Sequence, residues 1–126
     1  MKKAYIITIL FFSFLFANAV NNPDNIIGVW LMANKNVKVQ VYWSGKKYMG
    51  KVIWMDTDAN YKNFNVGELI IDNMIYNSAN KRYEKGFFYG RGYRLDCELE
   101  LLSHDSLQVD VYKGFLHQTR YCTRID

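Results

Sequence analysis

Two cysteines and two histidines are all the thiols and imidazoles that these 126 residues offer for metal binding or nucleophile–base chemistry. Cys97, Cys122, His104 and His117 stand apart, without the paired spacing of a zinc site. Ser103-His104-Asp105 has the letters of a hydrolytic triad, but triad members converge from separate chain positions, so this reads as a polar turn. Asp56 to Asn60 opens like a calcium loop, yet its sixth position is not Gly and its twelfth is not Glu. Glu98 and Glu100 share the polar face of a strand, which suits solubility rather than an acid/base pair. No catalytic residue, metal or cofactor is expected, and the chain is read as a non-enzyme.

Net charge is also scarce. The formal charge is +4, and loss of Lys2 and Lys3 with an N-terminal leader would leave +2. Nucleic-acid binding demands a concentrated basic footprint, so that partner is excluded. Long apolar runs are limited to residues 4–16, "AYIITILFFSFLF". Lys2 and Lys3 precede this run and Ala17-Asn18-Ala19 follows it, the three-part pattern of a secretory signal peptide. The expected division is therefore a signal peptide over 1–19 and a single domain over 20–126, periplasmic or secreted. No cysteine stands directly after the cleavage point to carry a lipid. No second run reaches spanning length, so stable membrane insertion of the mature part is not expected.

A sustained 3.6-residue apolar period is absent too, apart from room for a short helical turn between Asp56 and Val66. The period that is present is two. Val37, Val39 and Val41 alternate with Lys38 and Gln40. Leu95, Cys97, Leu99 and Leu101 alternate with Asp96, Glu98 and Glu100, and Leu107, Val109 and Val111 with Gln108, Asp110 and Tyr112. These are half-buried antiparallel strands. Eight are expected, near 28–33, 37–43, 47–55, 68–76, 82–89, 92–102, 107–113 and 118–125, with hairpin turns at Trp43–Lys47 and Ser103–Ser106. A meander this short hides its edges best by closing on itself, so the fold class is all-β, a small eight-stranded antiparallel up-and-down barrel.

Gly28 and Trp30 begin the first strand and Arg124 ends the last. This set resembles the calycin barrels, lipocalins and fatty-acid-binding proteins among them. The resemblance implies that the Trp30 indole closes one barrel end, that Arg124 packs across it, and that Gly28 permits the close approach. "IGVW", "VQVYWSGKKYMGKVIWM", "GELII", "CELELLSHDSLQVDVYKGF" and "TRYCTRID" also resemble small exported bacterial proteins of domain-of-unknown-function family 2147. The likeness is good at both ends. It departs in the middle, at "DTDANYKNFNVG" and "FFYGRGYR", and at Cys122, where that family carries Trp. The departures in the middle fall around loops, which govern access to a lumen.

The expected lumen residues are Val39, Val41, Val52, Trp54, Leu99, Leu101, Val109 and Val111. Aromatics are 17% of the chain, enough to fill a barrel solidly or to line a pocket. Lys81, Arg82, Lys85, Arg91 and Arg94 form a positive cluster that reads either as a solvated edge or as a rim for an anionic head group; Lys81, Arg82, Arg91 and Arg94 are the rim candidates. Export permits a Cys97–Cys122 disulfide, but a meander sets the two strands roughly 9–10 Å apart, beyond the reach of a bridge, and the sequence leaves this open. Two functions fit. One is a binding protein for a small hydrophobic or amphipathic, anionic ligand in the lumen. The other is a solid barrel that binds a protein partner, such as an inhibitor of an exported or host enzyme, through Tyr61, Phe64, Phe87 and Phe88. The volume of the lumen discriminates between them.

Overall fold

A computed structural model describes residues 22–33, 36–56, 65–90 and 92–126. Eight antiparallel strands, each paired with its neighbours in sequence, close into a barrel. They are β1 (Gly28–Met32), β2 (Val37–Trp43), β3 (Tyr48–Met55), β4 (Leu69–Asn77), β5 (Arg82–Gly90), β6 (Tyr93–Ser103), β7 (Ser106–Lys113) and β8 (Leu116–Arg124). The barrel closes where Trp30 pairs with Arg124, Leu31 with Thr123 and Met32 with Cys122. Alternation along β2 and β7 puts Val37, Val39, Val41, Leu107 and Val109 inside, all buried. The expected leader and the short helical turn lie outside the described residues.

A 3-10 turn over Pro23–Ile26 precedes β1, where no element was expected. Asn22 caps it by accepting the Asp24 N–H at 3.0 Å, and Pro23 fixes its first residue. Apolar periodicity cannot reveal a turn one residue group long; its cap and proline were the available signal.

Trp54 corrects the sequence reading. The strict period of two puts it in the lumen, but it faces outward and is 40% exposed. The β2–β3 register shifts between Lys38 and Val39: Val39 faces Val52, while Lys38 faces Trp54. The extra residue, Ile53, inverts the parity beyond it. Trp54 therefore lies beside Lys38, whose ammonium sits 4.8 Å from the ring centroid. Met55 takes the inward place and packs on the core.

A second irregularity bends β4 and β5 together. Asn73 and Lys85 both adopt left-handed backbone, φ 62 and 63, and the Asn73 amide donates to the Lys85 carbonyl at 3.0 Å. Next to this kink only Gly86 fits. A Cβ there would meet the Met74 side chain and lie 2.7 Å from the Asp72 carbonyl oxygen.

Candidate functional site

Adjacent hairpins open at opposite ends of a barrel, so the turns divide into two sets. One end gathers the 3-10 turn, the β2–β3, β4–β5 and β6–β7 turns and the C-terminus. The other gathers the β1–β2, β3–β4, β5–β6 and β7–β8 connections.

The first end is plugged. The Trp30 indole is buried, and its Nε1 donates to the Ile26 carbonyl at 2.9 Å. The Arg124 guanidinium lies 4.4 Å from the ring centroid and donates to the carbonyls of His104, Ile27 and Asn25. Arg124 thereby ties the 3-10 turn, the β6–β7 turn and β8 across one indole. Gly28 clears the way: a Cβ there would collide with the guanidinium and lie 2.7 Å from the Asp126 carbonyl oxygen. Beneath the turn, Tyr48 packs edge to face on Tyr83, and Tyr76 packs on Tyr83 at a tilt, with centroids 5.5 and 4.9 Å apart. The Tyr83 hydroxyl donates to Pro23 O and the Tyr48 hydroxyl to Asp24 Oδ1. Burial raises both phenols above the ordinary tyrosine range, so they remain neutral donors.

The other end is open. A cavity of about 520 Å³ runs up the lumen, floored by Trp30 and walled by aliphatic side chains. Of the expected lumen residues, Val39, Val41, Val109 and Val111 line it. Val52 and Leu99 are fully buried in the packed core and Leu101 packs partly against it, none of them on the cavity wall. Trp54 is outside. Among the described residues, the polar lining comes from Tyr93, Lys113, Gln118 and Arg120, and none of them is a carboxylate. Among the described residues, neither Arg120 nor Lys113 forms an ion pair.

Sequence reasoning missed these cations, although β8 carries the signal. Arg124 and Cys122 face inward, so the same parity turns Arg120 and Gln118 inward as well. The register agrees, with Arg120 opposite Val109 and Gln118 opposite Val111.

The expected rim does not assemble. Lys81 and Arg82 stand at the start of β5 at the plugged end, while Arg94 pairs with Tyr89 near the open end, and that stretch of strand sets Arg82 and Arg94 about 23 Å apart. Arg94 points outward, 4.5 Å from the Phe87 ring centroid. Arg91 lies outside the described residues, as do Tyr61 and Phe64. Phe88 faces the lumen wall, not a loop interface. Arg82 serves a different purpose on the outer surface. It reaches from β5 across Glu98 and Glu100 on β6 to Asp110 on β7, at 3.3, 3.4 and 2.6 Å. Asp110 is only 2% exposed and also accepts from Gln108 and Thr119 and faces His117 Nε2 at 3.2 Å. Burial alone would raise its pKa, but hydrogen bonds from Gln108, Thr119, Arg82 and His117 overcome that and hold it at about 2.

Cys97 and Cys122 are both free and buried. The ladders place Cys97 opposite Val111 and Val111 opposite Gln118, so Cys122 stands four positions further along as well as two strands away. Burial pushes both thiols up to about 12. Ellman's reagent should find no fast-reacting thiol in the folded protein and two after denaturation without reductant. Rapid reaction of the native protein would put a thiol on the surface, and none after unfolding would mean a bridge.

A closed meander with one plugged end and one open apolar lumen is the lipocalin-like, calycin type of barrel. A protein of the human pathogen Helicobacter pylori described as belonging to the lipocalin family has this fold. The two superpose with a TM-score of 0.63 at 14% identity, over 79% of this chain and 82% of the other. No family model matches the sequence, and neither does any curated protein, so the likeness to domain-of-unknown-function family 2147 rests on the motifs alone.

Proposed function

We propose that the protein is an exported, non-catalytic binding protein, periplasmic or secreted, that carries one small amphipathic anion in its barrel. The apolar chain of the ligand lies in the lumen above Trp30, and its acidic head meets Arg120 on the inner face of β8, with Lys113 nearer the mouth. The observation that carries this reading is the apolar cavity of about 520 Å³ whose described lining holds two cations and no acid. That volume falls within the roughly 300–1,000 Å³ common for small-molecule sites. A cation beside apolar walls favours a carboxylate or phosphate, because charge-assisted hydrogen bonds strengthen away from bulk water. The exported family that the motifs resemble agrees with the location. A solid barrel acting only through its loops has no comparable support, because the lumen is not filled.

The test pairs a long-chain fatty acid with the alcohol of equal length. Palmitate should bind at micromolar concentration, and Arg120→Gln should weaken it about tenfold, the loss of one charged hydrogen bond. The same substitution should leave hexadecanol binding within about twofold, since only the head group meets Arg120. Equal loss for both ligands would remove Arg120 from head-group recognition. Failure of both ligands to bind the unmodified protein would remove the lumen as a lipid site.

A further inference from the structure

The two ends of the barrel differ in what their turns expose. The plugged end turns through Ser44–Lys47, Ser78–Lys81 and His104–Asp105, all polar or small residues, as tight turns usually are; the half-exposed Trp43 that flanks the first packs on the Tyr48 ring, 4.8 Å between centroids. At the open end the β7–β8 turn reads Lys113-Gly114-Phe115-Leu116, with Gly114 at φ 61. Phe115 is 97% exposed and Leu116 64%. On the neighbouring β5–β6 hairpin, Tyr93 is 58% exposed, and the Lys113 ammonium lies 4.1 Å from its ring centroid. The segments Tyr89–Leu95 and Tyr112–Gln118 contain Arg91, Arg94 and Lys113 and no Asp or Glu.

We propose that the open end docks peripherally on an anionic lipid bilayer, with Phe115 and Leu116 entering the interface and Lys113 and Arg94 facing lipid phosphates. Two apolar side chains at the tip of a two-residue turn are too narrow for a stable protein interface, which needs roughly 800 Å² per partner. They suit a soft apolar layer that closes around them. The cations behind the tip meet the anionic surface at the depth where head groups lie. Lys113 belongs to both the tip and the cavity mouth, so docking sets the mouth against the leaflet. The docking surface stands on the exposure and charge of these hairpins and does not depend on what occupies the lumen.

Co-sedimentation with phosphatidylcholine vesicles, with and without phosphatidylglycerol, tests the proposal on protein exported and processed by an expression host. The protein should sediment with the anionic vesicles. Phe115→Ser should lower the partition coefficient about tenfold, and Lys113→Gln about fivefold. Both sites are exposed, so thermal unfolding of the variants should match the parent. In Phe115→Trp, the added emission should shift to the blue with anionic vesicles, a local readout of tip insertion. Absence of vesicle binding, or unchanged binding by Phe115→Ser, overturns the proposal. Concentration-dependent self-association that Phe115→Ser abolishes without lipid would overturn it as well, by assigning the tip to a second copy of the chain.

Discussion

Trp30→Ala should lower the unfolding free energy by about 3–5 kcal/mol, the cost of deleting a large buried aromatic side chain. Trp30 is 1% exposed, floors the lumen and holds the 3-10 turn through its indole N–H. Its removal would extend the cavity into the plug and release the Ile26 carbonyl. Arg124→Ala should also destabilise, by about 1–3 kcal/mol, because three carbonyls lose one shared donor. The two losses should not add. The guanidinium is 4.4 Å from the ring centroid, so each single variant already forfeits the stacking, and the double variant should cost about 0.5–3 kcal/mol less than the sum. Urea titration followed by far-UV circular dichroism measures all three. Losses that add within about 0.5 kcal/mol would mean that the pair contributes independently, whatever its geometry.

Acid should expose the second large effect. The Asp110 carboxyl titrates at about 2 in the folded protein, against an ordinary 3.8. A carboxylate whose pKa is depressed by folding stabilises the native state above its unfolded pKa and loses that contribution as pH falls through the folded value. The difference amounts to about 2 kcal/mol, present at neutral pH and lost progressively between about pH 4 and pH 2. Asp110→Asn cannot titrate. The gap in stability between parent and variant should therefore be widest above about pH 4 and shrink across that window. Other carboxylates titrate in both proteins, so this gap, and not either curve alone, is the measurement. Parallel curves would show that Asp110 is not held ionised by its neighbours. The site has structural reach, because Arg82, Glu98, Glu100, Asp110, His117 and Thr119 join β5, β6, β7 and β8 across the outer face.

Both effects come from residues that the sequence presents unequally. Gly28, Trp30 and Arg124 were legible as a set, because a glycine two residues before a tryptophan and an arginine on the last strand form a known barrel closure. Asp110 read only as the polar partner of Val109 and Val111. Its burial depends on Arg82, 28 positions earlier, reaching across an intervening strand. No local period encodes that.

The sequence by itself determined the eight strands, their order and the inward faces of β2, β6 and β7. Side-chain alternation is a local property of extended backbone, and short hairpins leave neighbouring strands no other partner. The tertiary structure decided the rest. One unpaired residue, Ile53, sends Trp54 outside, because a bulge inverts parity without changing composition. The volume of the lumen depends on how all eight inner faces fit together, so an aromatic-rich chain could have filled it. It is open because the large aromatics Trp30, Tyr48 and Tyr83 gather at the plug, while valines and isoleucines line the wall. Which cations share a rim was likewise settled by closure. The expected rim cations Arg82 and Arg94 fall toward opposite ends of the β5–β6 hairpin. Lys113 and Arg120, on β7 and β8, line one cavity at different depths.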